Sequence, residues 1–144
     1  MFRSILVPTD GTEITAKAVS AAVELARALG ARLSTISVKE PFPYSAISEM
    51  QPVPPQEFYD AQERIARKRV QDVISAAAAA GLDCEAFTVE AVHPWEAILD
   101  HAKQQHCDLV VMASHNRKGL EALFMGSETT RVLSHCDLPV LVVH

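Results

Sequence analysis

Five short apolar segments alternate with longer segments of helical periodicity, and this alternation constrains the fold more than any other feature. The predicted strands are residues 4–8, 31–38, 84–90, 108–113 and 138–143. The predicted helices are residues 12–29, 57–80, 94–105 and a last one from 127 or 128 to 135. Strands that are apolar almost throughout are typical of a parallel sheet buried on both faces. Right-handed crossovers then favour a doubly wound open α/β sheet with helices on both faces.

The segment at about 40–55 interrupts this pattern. Five of the eight prolines lie at residues 41–55, and proline removes an amide donor and prevents regular helix. We predict an exposed, flexible flap within one domain that spans residues 1–144. The next helix begins with a charged segment that indicates a solvated surface, where each ion pair contributes little to stability. Its charged residues are Glu63, Arg64, Arg67, Lys68 and Arg69.

Charge and composition argue against several classes of partner. The formal net charge is −5, whereas nucleic-acid binding depends on cations that meet phosphates. No apolar run approaches the ~20 residues that a membrane span requires, and no signal-peptide pattern precedes the first strand, so we predict a cytoplasmic protein. The three cysteines are widely spaced without a CxxC pair. They predict neither a disulfide framework nor a zinc site, and no metal site is expected from side chains alone.

Ligands of doubly wound sheets bind beyond the carboxyl ends of the strands, where the strand order reverses. Pro8, Thr9 and Asp10 follow the first strand, and a polar loop follows the fourth. If these strands are neighbours, both loops face one crevice. Asp10 would accept hydrogen bonds from a ribose hydroxyl or an adenine amine. The candidate residues at the end of the fourth strand and in its loop are Met112, Ala113, Ser114, His115, Asn116 and Arg117.

The same loop leads into a helix start that is suited to phosphate. Gly126 lets the backbone approach a ligand closely, and Ser127 is a good N-cap. The NH groups after it, at Glu128 and Thr129, begin a helix with a positive dipole end. The hydroxyls of Ser127 and Thr129 would add contacts. Taken alone, the Gly-Ser start is more often an ordinary capped helix and the Asp10 motif an ordinary turn, and the GxGxxG and P-loop fingerprints are absent.

Three stretches, "ILVPTDGTEITAKAV", "DLVVMASHNRKGLEALFMGSETTRVL" and "CDLPVLVVH", together resemble the universal stress protein family over essentially the whole chain. The resemblance implies a Rossmann-like five-stranded parallel sheet of order 3-2-1-4-5 and a dimer that commonly joins through the last strands. Nucleotide-binding members carry Gly-x-x-Gly, nine residues, and then Gly-Ser or Gly-Thr. Gly126 and Ser127 match this pattern, whereas Ala113 and Asn116 stand at the two earlier glycines.

By the same resemblance, the ligand is ATP or AMP, possibly with Mg²⁺. Asp10 would meet the adenine or ribose, and Val38 would line the adenine pocket. Val92 stands where the family commonly has glycine, and it would narrow that pocket.

The residues also predict a homodimer on physical grounds, because the last strand, Leu138 to Val143, is apolar and its open edge would aggregate unless a second copy paired with it. The sequence therefore favours a dimeric adenine-nucleotide-binding regulator of the stress response with an unknown regulatory partner. Two alternatives stay open. One is a nucleotide-free dimer that acts through protein contacts. The other is a slow ATPase that uses Ser127, Thr129 and Mg²⁺, although no acidic residue of the Walker-B type stands near the loop.

Overall fold

The computed structural model describes residues 1–42, 56–114 and 127–144, and the predicted flap falls largely outside them at 43–55. All the predicted strands and helices are present, with boundaries that differ by two residues or fewer. The elements in chain order are β1 (Ser4–Pro8), α1 (Glu13–Leu29), β2 (Arg32–Lys39), α2 (Gln56–Ala79), β3 (Cys84–Glu90), α3 (Pro94–Gln104), β4 (Leu109–Ala113), α4 (Ser127–His135) and β5 (Val140–Val143).

The five strands form one parallel sheet in the order β3-β2-β1-β4-β5. This order confirms the expected doubly wound fold. β1 is the central strand, with Ile5 opposite Leu33 of β2 on one side and opposite Leu109 of β4 on the other. The chain therefore builds the sheet outward from β1 first in one direction and then in the other, which is the arrangement that leaves a crevice between neighbouring strand ends.

Side chains of the central strands alternate between two apolar layers. Ile5 and Val7 of β1 pack with buried residues of α1 and α2, whereas Leu6 packs with buried residues of α3 and α4. β4 alternates in the same way, because Val111 belongs to the first layer and Val110 to the second. Both faces of the sheet are therefore covered, which explains why the strands are apolar at successive positions rather than at every second one.

Helix α1 shows how the sequence sets an element's ends. Thr12 is its N-cap, and the hydroxyl oxygen of Thr12 accepts a hydrogen bond from the Thr15 amide at 3.3 Å. Gly30 ends the helix with φ of 65°, a left-handed conformation that favours glycine, and its amide donates to the carbonyl of Ala26. The amino end of α1 therefore lies directly beyond the carboxyl end of β1.

Two features at the chain's second half refine the sequence predictions. β5 begins at Val140 rather than at Leu138, because Pro139 accepts a hydrogen bond from the Val110 amide at 3.1 Å but has no amide hydrogen to donate. Helix α4 begins at Ser127, the earlier of the two predicted starts.

Within the three described ranges, no helix has the length and apolar character needed to cross a membrane.

Asp108 joins the amino ends of β1 and β4. Its carboxylate accepts hydrogen bonds from the Arg3 amide at 2.8 and 3.1 Å and from the Ser4 amide at 2.9 Å. Its own amide donates to the carbonyl of Ser4 at 2.9 Å. Partial burial by itself raises the pKa of Asp108, but the amides of Arg3 and Ser4 outweigh it and hold the pKa below its usual value.

Asp108→Asn should lower the free energy of unfolding at pH 7 by about 1 kcal/mol, because it removes the negative charge from these hydrogen bonds and the Oδ2 acceptor of the Arg3 amide. Since the folded-state pKa is depressed, the wild-type contribution is present above the unfolded pKa of about 3.9 and is lost as pH falls through the folded value. The difference between the two proteins should therefore shrink below about pH 4. Urea unfolding measured at both pH values checks this.

Asp83→Asn is the matched control, because Asp83 is exposed. It should change the unfolding free energy by no more than about 0.5 kcal/mol at either pH. Equal stability of Asp108→Asn and wild type at pH 7 would contradict the role assigned to Asp108.

Candidate functional site

A cleft of about 910 Å³ opens at the carboxyl ends of β1, β2 and β4, between the two helix layers. The loop after β1, the end of β4 and the first turn of α4 all contribute to it. The predicted site residues that line it are Pro8, Thr9, Asp10, Val38, Met112, Ala113, Glu128 and Thr129. The structure therefore brings the first and fourth strand ends to one crevice, as their adjacency in the sheet requires.

The other predicted site residues divide into two groups. His115, Asn116, Arg117 and Gly126 lie outside the described residues, and Ser127 is described only as the first residue of α4. Ser114 directly follows β4, and its amide donates to the carbonyl of Val143 at 2.8 Å. Its side chain is buried, and the hydroxyl has no hydrogen-bond partner within the described part of the chain. Ser114 does not line the cleft with the residues named above.

The loop after β1 holds Asp10 in a fixed position at the amino end of α1. The Asp10 Oδ1 atom accepts hydrogen bonds from the Thr12 amide at 3.0 Å, from the Thr12 hydroxyl at 2.7 Å and from the Thr15 hydroxyl at 2.5 Å. The Thr9 amide donates to the carbonyl of Ile36 at 3.0 Å, which ties the same loop to β2. Asp10 is exposed to the cleft yet anchored by these contacts. A ligand would therefore meet a carboxylate that is already ordered.

The hydroxyl of Thr129 is committed to the protein itself. Thr129 is 2% exposed, and its hydroxyl donates to the carbonyl of Ala113 at 2.8 Å. This bond joins the first turn of α4 to the end of β4. The hydroxyl hydrogen is consequently not free for a ligand, in contrast to the sequence-based expectation for this side chain. The first NH groups of α4 still have no acceptor inside the helix, because the first four amides of any helix lack one.

Glu128 links the two helices that cover the second sheet face. Its Oε2 atom accepts a hydrogen bond from the Trp95 amide at 2.8 Å, in the first turn of α3. His93, the N-cap of α3, makes no capping bond with its side chain, so Glu128 supplies the cap from α4. The Trp95 ring also stacks on His135 at the other end of α4, with centroids 4.5 Å apart. An acid therefore already caps the positive end of α3, whereas the positive end of α4 faces the cleft at Glu128 and Thr129.

Apolar groups line the part of the cleft that is next to β2. The side chains that contribute are Ile36, Val38, Pro41, Pro94 and Ile98. Val92 lies at the rim and is 71% exposed. Its side chain therefore borders the opening without filling it, and the cleft keeps an apolar surface on which a flat ring can pack.

Helix α2 contributes a wall that the sequence analysis missed. Gln62, Ile65 and Arg69 line the cleft, and their spacing of three and four residues places them on one helix face. The prediction that Arg69 lies on a solvated charged face is therefore wrong. Its neighbours do behave as expected, because Arg67 pairs with Glu63 at 2.8 Å and Lys68 pairs with Asp72 at 2.5 Å.

Gly11 allows Arg69 to come close to the β1 loop. Gly11 has φ of +80°, and a Cβ atom added there would lie 3.0 Å from the Cγ atom of Arg69. The aliphatic stem of Arg69 therefore rests directly against the backbone that carries Asp10. Both the backbone conformation and this contact favour glycine at position 11.

The remaining titratable groups do not assemble a metal centre in the described ranges, where no group of three or more His, Cys, Asp or Glu side chains is placed to hold an ion. His101 is buried against the Phe87 ring, with centroids 4.4 Å apart, and burial lowers its pKa. All three cysteines are free, and burial raises the pKa of Cys84 to about 11. These groups are consistent with packing roles.

Comparison with known proteins agrees with this geometry. A model of the universal stress protein family matches residues 1–144. The universal stress protein YxiE of Bacillus subtilis is 31% identical over 149 residues, which cover 99% of each chain. The structure of universal stress protein UspA from Lactobacillus plantarum matches with a TM-score of 0.82 at 25% identity, over 99% of this chain and 98% of that one.

Two more distant structures were solved with nucleotides. A universal stress protein in complex with cAMP matches with a TM-score of 0.73 at 23% identity, over 99% of this chain and 97% of that one. The Archaeoglobus fulgidus universal stress protein in complex with dAMP matches with a TM-score of 0.70 at 16% identity, over 99% and 98%. At these identities the likeness shows a shared fold.

Gly11→Ala should lower the free energy of unfolding by about 1 kcal/mol more than Gly81→Ala does, because only the first substitution also crowds a neighbour. Gly81 has a similar φ of +77° with nothing within 4 Å of an added Cβ, so it measures the conformational strain alone. In an Arg69→Ala background the two substitutions should cost the same. Chemical denaturation of the four variants checks this, and an equal cost of both substitutions in the wild-type background would refute the contact.

Proposed function

The chain belongs to the universal stress protein family, and from that premise we propose that it binds an adenine nucleotide in the cleft between the ends of β1 and β4. One observation carries the proposal. The loop after β1 lines the same cleft as the end of β4 and the first turn of α4, and the sequence predicts these as the two halves of a nucleotide site. Related folds hold cAMP and dAMP, which supports the ligand class by analogy of fold.

In this proposal the purine packs on the apolar part of the cleft near Val38, and Asp10 accepts a hydrogen bond from the ribose or the adenine amine. The contacts of Asp10 with Thr12 and Thr15 favour this role. Because the carboxylate is held before the ligand arrives, less conformational entropy is lost on binding.

We place the phosphate at the amino end of α4, which has nine residues. The backbone amides of Glu128 and Thr129 would hold it, rather than the Thr129 hydroxyl, which already donates to Ala113. Among the described residues, the carboxylates of Asp10, Glu40 and Glu128 line the cleft as well. ATP would therefore enter with Mg²⁺ to offset its charge, and AMP, which carries fewer phosphate charges, would need less compensation.

A binding role is better supported than hydrolysis. Slow ATP hydrolysis at this loop would use the hydroxyls of Ser127 and Thr129, and the Thr129 hydroxyl hydrogen is committed to the end of β4.

A ligand that binds only the folded, ordered site stabilises it by RT ln(1 + [L]/Kd), or ~2.7 kcal/mol at a hundredfold excess over Kd. We propose that the nucleotide thereby regulates contacts with a partner in the stress response, in the cytoplasm, where free cysteines stay reduced.

We also propose a homodimer through β5. In the described sheet β5 is the last strand on its side and pairs with β4, and Leu141 on it is 41% exposed. An apolar strand with an open edge tends to pair with another strand. Pairing with β5 of a second copy satisfies that edge and covers Leu141. The Ala113 and Asn116 substitutions keep a nucleotide-free dimer as the rival, since such a dimer would need only this contact.

AMP and ATP should each raise the melting temperature at millimolar concentration. GTP should do so less if Asp10 accepts from the adenine amine, because guanine has a carbonyl at that position. Val92→Gly should bind AMP at least as tightly as wild type, since it removes a side chain from the rim. Val92→Trp should weaken AMP binding by about tenfold or more, which is about 1.4 kcal/mol. Isothermal titration calorimetry measures these affinities.

The exposure of Val92 makes this pair a fair test, because both substitutions should leave the unfolding free energy within about 0.5 kcal/mol of wild type. A flat titration together with no thermal shift at millimolar AMP or ATP would reject the nucleotide site and leave the protein-contact role.

Sedimentation velocity at micromolar concentration should show a dimer, and Leu141→Lys should convert it to a monomer by placing a charge in the paired edge. Leu29→Lys is the control, because Leu29 is 43% exposed at the far end of α1. A wild-type monomer, or a dimer that survives Leu141→Lys, would count against pairing through β5.

A further inference from the structure

The wall of the cleft that α2 provides has a side chain suited to bind an anion. Ile65 and Arg69 lie one turn apart on this wall. Ile65 is 45% exposed although it is a large apolar residue. Arg69 is half-buried. The wall thus combines an apolar surface with a guanidinium group on the face of α2 that borders the cleft.

Arg69 is the one cationic side chain among the described residues that line the cleft. Arg67 and Lys68, its neighbours on α2, are held by carboxylates, and Lys39 pairs with Glu63 at 2.7 Å. No described carboxylate forms an ion pair with Arg69. The three acids of the cleft oppose an anionic ligand, so a guanidinium that no described carboxylate neutralises is the side chain there that can bind one through charge-assisted hydrogen bonds.

The position of Arg69 is also fixed by packing. Its Cγ atom lies 3.0 Å, and its Nε atom 3.6 Å, from where a Cβ atom of Gly11 would be. The stem therefore rests on the β1 loop, next to Asp10. Because the stem is already ordered, holding a ligand with the guanidinium costs less side-chain entropy than it would at a free surface arginine.

We infer that Arg69 is a specificity residue of the nucleotide site and that it binds the anionic phosphate of the ligand. The inference rests on the proposed function. The amino end of α4 belongs to one helix layer and Arg69 to the other. A phosphate bound between them would therefore contact donors from both walls of the cleft. Backbone amides on one side and a planar guanidinium on the other provide several donors to the phosphate oxygens.

The test compares ligands with and without the phosphate. By isothermal titration calorimetry, Arg69→Gln should weaken AMP binding by about tenfold and leave adenosine binding unchanged, because a charge-assisted hydrogen bond is lost for AMP alone. Glutamine keeps part of the stem that rests on Gly11. Arg69→Lys should fall between Arg69→Gln and wild type, because it keeps the charge and loses the bidentate geometry.

Arg64→Gln is the matched control, since Arg64 is an exposed arginine of the same helix that does not line the cleft. It should leave the affinities for AMP and adenosine unchanged. The slope of log Kd for AMP against log salt should be smaller in Arg69→Gln than in Arg64→Gln, because one cation–phosphate contact is missing. This measurement decides the question even if adenosine binds too weakly to titrate.

The possible failures are distinguishable. If wild type binds neither AMP nor ATP, the proposed function is wrong and this inference falls with it. If wild type binds AMP and Arg69→Gln binds it equally well with the same salt dependence, only the inference is wrong. Equal loss of AMP and adenosine affinity in Arg69→Gln would mean that Arg69 acts as a packing wall, which also overturns it.

Discussion

Burial of β1 on both faces is the constraint on which the rest of the structure depends. Ile5, Leu6 and Val7 have no solvent exposure, and full burial of such side chains contributes roughly 1.5–3 kcal/mol each. A strand buried in this way needs helices above and below it and a strand on each side. The chain meets that need by placing β2 and β4 beside β1. The helices that follow β1 and β4 then cover opposite faces of the sheet, and the space between their amino ends becomes the cleft.

The hydrogen bonds around the cleft divide its polar groups into two sets. Side-chain oxygens of Asp10, Glu128 and Thr129 are used to fix helix starts and strand ends. The backbone amides of the first turn of α4 have no such use within the helix. At Glu128 and Thr129, the proposed phosphate contacts would therefore use backbone amides, whereas the side-chain oxygens hold the fold together.

Much of the fold could be predicted from residue patterns because the determining signals are local. Gly30 and Pro94 mark helix ends that the structure reproduces. The strand order could not be predicted in this way, because periodicity gives no information on which strands are neighbours. The expected order came from the family resemblance. Pro139 delays β5 for a reason that an apolar run does not reveal. The Thr129 hydroxyl was expected to contact the ligand, but sequence spacing gives no information on which acceptor a hydroxyl meets in the fold. Arg69 was expected to face solvent, because a charged helix face has the same sequence pattern whether it borders solvent or a cleft.

Trp95 is the single tryptophan of the chain, and its surroundings give it a particular use. Its amide is bonded by Glu128, a residue of the cleft wall, and its ring stacks on the imidazole of His135. Through its backbone amide and its ring, Trp95 therefore contacts both ends of α4, the helix whose first turn faces the cleft. Its intrinsic emission is a built-in optical reporter of how that helix sits, and it can be recorded on the unlabelled protein.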